Sequence, residues 1–343
     1  MWQPVYKSLA LIVVLAAVTL VFLHLASRKI YPMEFGLSFN QKHAAALGLD
    51  WRQVYTAMLD DLQPKYVRIA AMWSEVEKTQ SVFDFRDVDF MMDEAGKRGV
   101  KVLLVVGQKA PRWPECHVPD WLDTASLEAK TYLQGYLAET VNRYQTHSAL
   151  ELWQVENEPF IRFRFGECRS YRPEYLSDEI SLVRSLDQEH RIMVTDSGEL
   201  STWHRAISAG DLFGTTMYRI VRTPSGKIFT YDWLPAAYYR LKARIYRRPL
   251  AEVYISELQA EPWFTHNNPL TASLAEQERT MNPERFVQHL EYARRTGFPR
   301  AYLWGVEWWY FMRENYGESR YWDLAREQIA AARAGGESTD YGF

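Results

Sequence analysis

Only two cysteines, Cys116 and Cys168, occur in 343 residues, too few to form a metal motif. No Cys/His cluster has metal-ligand spacing, and no serine stands in a nucleophile elbow. Net charge is −3, so the charge balance gives no reason to expect nucleic acid as a partner. The first predicted strand runs into Gly36-Leu37-Ser38-Phe39-Asn40, which is not a glycine-rich phosphate loop. That counts against an open, doubly wound sheet. The body shows no internal repeat and no low-complexity linker.

Long apolar runs are also scarce: there is one. Leu9 to Leu23 is almost wholly apolar, and His24-Leu25-Ala26 extends it to about the span of a bilayer core. Lys7 precedes it and Arg28-Lys29 follow, so basic flanks do not fix its orientation. A cleaved signal peptide needs small residues before the cut, and His24 and Ala26 fit that poorly. The expectation is a tail and transmembrane signal anchor over 1–30, with a catalytic domain over 31–343 on the extracytoplasmic side. In that setting a single Cys116–Cys168 disulfide becomes plausible, because both cysteines fall in loops at one end of the predicted sheet.

What is present in quantity is aromatic: 15% of residues, with 13 Trp and 21 Tyr. Such rings stack on sugar faces but also fill cores. Short apolar runs alternate with amphipathic stretches, as in parallel βα units. Strands are predicted over 35–39, 66–71, 102–106, 150–155, 192–196, 212–217, 253–256 and 301–304. Helical patterns cover 87–98, 124–144, 173–186, 232–246, 283–296 and 321–332, and the tail from 334 reads as loose. Eight such units in about 300 residues predict a (β/α)8 TIM barrel.

Barrel enzymes carry their chemistry at the C-terminal ends of the strands. There this sequence places Arg68 and Trp73, Gln108 and Trp113, Glu156-Asn157-Glu158-Pro159, Asp196 and Glu199, Tyr218, Glu257, and Trp304 with Glu307. Glycosidic cleavage needs one carboxylic acid to protonate the leaving oxygen and a second carboxylate on the opposite face of the ring. Glu158 and Glu257, at the ends of the fourth and seventh predicted strands, face each other obliquely across such a mouth. Glu261 and Glu307 are the rivals of Glu257, but only Glu257 directly follows an apolar β-run.

The tract Trp153-Gln154-Val155-Glu156-Asn157-Glu158-Pro159 resembles the Asn-Glu-Pro motif of the retaining glycoside hydrolases of clan A. Val67-Arg68-Ile69, Trp73, Glu77, Phe83-Asp84-Phe85 and Asp89 resemble the same group's second βα unit. The resemblance spans 35–326. It implies Glu158 as acid/base, Asn157 as the residue that holds the sugar 2-hydroxyl, and Glu257, in Tyr254-Ile255-Ser256-Glu257, as nucleophile. It implies Arg68 and Tyr218 as groups that hydrogen-bond the nucleophile, and Trp304 as an aromatic floor. Two positions depart from the pattern: Gln108 stands where many members carry histidine, and Glu156 where many carry an aromatic.

The expected activity is hydrolysis of a β-linked glycan, with no metal or organic cofactor implied. A sugar acceptor in place of water would make the same site a transglycosidase, and a carbohydrate-binding pseudoenzyme is the rival of another class. Trp113, Trp263, Trp308 and Trp309 are candidates for outer sugar subsites or for a lid packed on the barrel. Arg162, Arg164, Arg169 and Arg172 in one loop, with Arg219, Arg222 and Lys227 in another, form either a solvated surface or a rim for an anionic glycan.

Overall fold

Eight apolar segments become parallel strands because each is buried on both faces, against the barrel interior inside and helices outside. They are β1 (Glu34–Ser38), β2 (Tyr66–Ala70), β3 (Lys101–Val106), β4 (Leu150–Val155), β5 (Arg191–Asp196), β6 (Leu212–Met217), β9 (Val253–Gln259) and β10 (Arg300–Trp304). A short antiparallel hairpin, β7 (Ile220–Arg222) and β8 (Ile228–Thr230), is inserted between β6 and β9. The computed structural model describes residues 3–336 except 162–165, 167, 169, 170, 224 and 265–267. The strands close in the order β1-β10-β9-β6-β5-β4-β3-β2, with Phe35 opposite Ala301 and Leu37 opposite Val67 at the closure. This is the predicted TIM barrel.

The barrel floor is solid. Tyr66, Leu103, Leu152, Met193, Leu212 and Tyr302 form a buried layer, and the Arg300 guanidinium lies 3.2 Å from the Tyr66 ring centroid while pairing with Glu151 at 2.8 Å. Gly36 faces this layer, and a Cβ there would meet Tyr66 O at 2.8 Å and Tyr302 Cδ1 at 2.9 Å. Only glycine lets β1 pass.

The outer helices follow the amphipathic patterns, with shifted ends. Arg86–Lys97, Leu176–Leu186 and Pro283–Arg294 match closely. The helix expected from 124 starts at Ala129, and the one expected from 232 starts at Ala237, just after Pro235 holds its predecessor out of the helical region. One unit departs from strict alternation. Between β5 and β6 the chain makes only turns, and the slot is filled by Trp203, fully buried, with the Lys242 ammonium 3.9 Å from its ring centroid. The segment has Gly198 and Gly210 near its ends and no helical apolar repeat.

The N-terminal helix runs Gln3–Ala26. Its Leu11, Val14, Val18 and Phe22 are exposed, and its last turn docks on the barrel. Ser27 Oγ accepts the Ala237 N–H at 2.8 Å, and Arg240 Nη2 donates to Ala26 O at 2.7 Å. The expected transmembrane helix is not confirmed: among the described residues, no helix is long and apolar enough to cross a membrane. Of the tail from 334, expected to be loose, residues 334–336 instead continue the last helix, Arg320–Gly336, and the rest lies outside the described residues.

Candidate active site

Strand β9 is longer than its sequence pattern suggested and carries Glu257 inside it. Its register slips at that point on both edges: Thr215 pairs with Ile255 but Thr216 with Glu257, and Ala301 pairs with Ile255 but Leu303 with Leu258. The extra residue is a bulge, which re-aims the neighbouring side chain. Glu257 is 4% exposed, and each of its carboxylate oxygens receives a donor. Arg68 Nη1 donates to Oε1 at 2.9 Å, and the Tyr218 hydroxyl donates to Oε2 at 2.7 Å.

Arg68 comes from β2 and is 1% exposed. Its other nitrogens donate to Gln154 Oε1 at 2.9 Å and to Asn157 Oδ1 at 2.8 Å. One guanidinium therefore ties the nucleophile candidate to the residue beside the acid/base candidate. Tyr218 is fixed in turn by Glu199, which accepts its backbone N–H at 3.1 Å. Burial, then the Glu257 charge, keeps the Tyr218 phenol protonated, so it acts as a donor only.

The end of β4 is strained. Glu156 and Glu158 have φ of 61° and 45°, values that non-glycine residues hold only when their surroundings demand it. The demand is visible. Glu156 is fully buried and accepts the backbone N–H groups of Gln108 at 2.7 Å and Lys109 at 2.6 Å. Glu158 donates its backbone N–H to Thr195 Oγ1 at 2.9 Å, and Thr216 Oγ1 donates to Glu158 Oε1 at 3.0 Å. Thr216 is also the cross-strand partner of Glu257, so both carboxylates are built around one residue of β6. Burial, then the nearby Glu257 charge, raises the Glu158 pKa well above the usual carboxylate range. Both causes favour the protonated acid.

Five of the predicted site residues, Arg68, Asn157, Glu158, Tyr218 and Glu257, thus converge. Trp263 packs its edge on Tyr218, with ring centroids 5.2 Å apart. Trp304 lines the mouth at 8% exposure, and the Arg112 guanidinium lies 4.1 Å from its ring centroid. Trp113 is 68% exposed at the rim. Trp308 and Trp309 are not subsites. Both are fully buried, donating to Gln277 Oε1 and Ala260 O.

The rivals of Glu257 have other work. Glu261 and Glu307 both pair with Arg112. Two of the four described basic rim residues are taken up within the fold. Arg219 is buried against the Tyr292 ring and donates to backbone carbonyls of Tyr231 and Leu234, while Arg222 pairs with Glu276. Arg172 and Lys227 are exposed, and Arg162, Arg164 and Arg169 lie outside the described residues.

Sequence reasoning missed Gln154, Thr195 and Thr216, which brace the pair, although strand alternation aims all three inward. It also missed Glu115. Burial raises this carboxyl to about 7, and it faces Asn157, Lys109 and Glu257. Its loop is pinned by a Cys116–Cys168 disulfide, with Cα atoms 5.0 Å apart, as the loop positions suggested.

A carboxyl group with a raised pKa and a second one hydrogen-bonded at both oxygens, built around Thr216 at one mouth, are the kinds of group that glycosidic cleavage requires. No protein-family model matches the sequence, and no curated protein does. Solved structures do. The β-galactosidase of the Antarctic haloarchaeon Halorubrum lacusprofundi is 15% identical with a TM-score of 0.59, over 87% of this chain and 58% of its own. A GH5_18 protein from Streptomyces cattleya in complex with GlcNAc is 13% identical with a TM-score of 0.55, over 80% and 71%. The exo-β-1,4-mannosidase of Opitutaceae bacterium strain TAV5 is 15% identical with a TM-score of 0.54, over 88% and 60%. This chain shares the closed eight-strand barrel of those structures.

Proposed function

We propose that this protein hydrolyses O-glycosidic bonds of a β-linked glycan with net retention, with Glu257 as nucleophile and Glu158 as acid/base. The observation that carries the reading is the division of labour between the two carboxylates. Arg68 and Tyr218 occupy both oxygens of Glu257, while burial and the Glu257 charge raise the Glu158 pKa well above the usual carboxylate range. Glu257 attacks the anomeric carbon as Glu158 protonates the departing oxygen. Glycosylation removes the charge on Glu257, so Glu158, ionised by its proton transfer, takes a proton from water as the water oxygen bonds the anomeric carbon and the Glu257–sugar bond breaks. Asn157 is oriented through its Oδ1 by Arg68 and hydrogen-bonds Glu115 through its amide, which places that amide beside the reacting sugar. A sugar acceptor in place of water makes the same steps a transglycosylation.

Wild type and Glu257→Gln are compared on a β-glycoside panel and with mechanism-based 2-fluoro sugars. The expected result is turnover and covalent labelling of wild type at Glu257, both lost in the variant. Equal turnover by the two proteins removes Glu257 from its role. Sugar binding by wild type with neither turnover nor labelling makes the chain a carbohydrate-binding pseudoenzyme.

We further propose that the Gln3–Ala26 helix anchors the protein to a membrane with its barrel on the extracytoplasmic side. Support comes from its exposed apolar side chains and from the disulfide, which suits an oxidising compartment. Retention of the full chain in membranes after alkaline carbonate extraction is expected. Release of the full chain refutes it.

A further inference from the structure

The loop after β3 crosses the mouth. Arg112 leaves it at a φ of 84° and reaches Glu261, which follows β9, and Glu307, which follows β10. Arg112 Nη2 lies 3.0 Å from Glu261 Oε2 and 3.1 Å from Glu307 Oε2, with the guanidinium on the Trp304 ring. The three ion-pair side chains are 12%, 13% and 1% exposed. In the barrel order, this strap spans the arc of β3, β2, β1 and β10. Glu158 is held on the other arc, by Thr195 of β5 and Thr216 of β6.

The strap is built as a wall. Its loop is closed by hydrogen bonds from Ala110 N to Glu115 O (3.0 Å), Glu115 N to Arg112 O (2.8 Å) and His117 N to Gln108 O (2.9 Å). Asn40 Nδ2 holds Pro111 O at 3.2 Å, and the Cys116–Cys168 bridge ties the loop to the one after β4. Beside the wall is a gap of about 10 Å³, room for one water or one hydroxyl, whose lining includes Ser38, Asn40, Arg68, Arg112, Trp304 and Glu307. The Ser38 hydroxyl in its lining is buried, with no hydrogen-bond partner among the described residues.

We infer that the active site is a blind pocket that admits only the end of a glycan, so the enzyme is exo-acting and Arg112 is the residue that excludes internal sugars. An internal cut needs a groove open on both sides of the reacting ring. Here the leaving portion has room only on the Glu158 arc, because the strap seals the opposite arc. The Ser38 hydroxyl stands ready for a hydroxyl of the terminal sugar.

The inference rests on the hydrolase reading, and the test separates the two. Reducing-end-labelled β-1,4-gluco-, manno- and galacto-oligosaccharides are digested with the full chain, alongside the same oligosaccharides with the terminal 4- and 6-hydroxyls blocked by a benzylidene group. Wild type is expected to release single sugars stepwise from the unlabelled end and to cut the blocked forms at least about 100-fold more slowly. Arg112→Ala, and Arg112→Lys as the milder change, are expected to raise cutting of the blocked forms relative to wild type by about tenfold or more. Early internal fragments from wild type, or equal cutting of blocked and free ends, overturn the exo reading. They leave the hydrolase reading intact if Glu257→Gln abolishes them. Should Arg112→Ala fail to fold, the wild-type product pattern and the Arg112→Lys rates decide. No turnover of any oligosaccharide overturns both readings.

Discussion

Replacing Arg68 by lysine separates the charge of this side chain from its shape. The guanidinium reaches Glu257 Oε1 at 2.9 Å, Gln154 Oε1 at 2.9 Å, Asn157 Oδ1 at 2.8 Å and Ser256 O at 3.3 Å. A lysine ammonium keeps the positive charge for Glu257 but cannot reproduce the planar fork. Asn157 Oδ1 still receives Gln154 Nε2 at 3.2 Å, so the main loss falls on Gln154 Oε1. A buried acceptor left without a donor costs about 1–3 kcal/mol, and a hydrogen bond to a charged group is worth about 1.5–3 kcal/mol. The expected penalty for Arg68→Lys is therefore about 3 kcal/mol, or a melting temperature lower by roughly 5 °C. Arg68→Met also strands the buried Glu257 charge and is expected to cost about 3–5 kcal/mol. Because Glu257 and Asn157 both lose their alignment, kcat/KM of Arg68→Lys on an aryl β-glycoside should fall about 100-fold. Thermal melts and initial rates on purified full-length proteins read both numbers. An Arg68→Lys variant that melts within about 1 °C of wild type and keeps kcat/KM within about threefold refutes the argument.

Three further outcomes are expected. Burial lifts Glu156, Glu199 and Glu307 each to about 7, above the ~4.3 of an unfolded glutamate, so the folded chain binds more protons between those values. That stability is present in full below the unfolded value and is lost as pH rises through about 7, so the melting temperature should fall from about pH 5 to about pH 8; a flat or rising profile contradicts it. The Cys116–Cys168 bridge closes a separation of 52 residues, and its loss in a Cys116→Ser/Cys168→Ser variant should cost up to about 4 kcal/mol in reversible unfolding. An unchanged melt under reductant removes that contribution. Glu158→Ala should lose far more activity on aryl glycosides with poor leaving groups than on those with good ones, since only the former need protonation; a uniform loss argues against Glu158 as the acid.

All eight barrel strands were legible because each is a short apolar run bounded by polar turns, and barrel topology then assigned their ends to one mouth. The places of Glu158 and Glu257 at that mouth were legible for the same reason, through Asn157-Glu158-Pro159 and an apolar run before Glu257. The bracing by Thr195, Thr216 and Gln154 was not, because it depends on which side chain of an inward row meets its neighbour. Arg219 and Arg222 show the opposite error. A run of like charges reads as a surface, yet one arginine is buried on an aromatic ring and the other is taken by Glu276. Trp308 and Trp309 were equally opaque, since the sequence gives a tryptophan's position but not the side on which its helix turns it. The turns between β5 and β6 broke the expected alternation because Trp203 and Lys242, distant in sequence, occupy the helix's place.

The packed layer of Tyr66, Tyr302 and Arg300 leaves the barrel with no rear exit. Reactant, departing fragment and water must all use one doorway. On the proposed mechanism, the water that frees the bound sugar arrives only after the first fragment has vacated the threshold, and a dissolved sugar waiting there competes for the same place. Whether this protein trims glycans or rebuilds them would then depend on how crowded that doorway is.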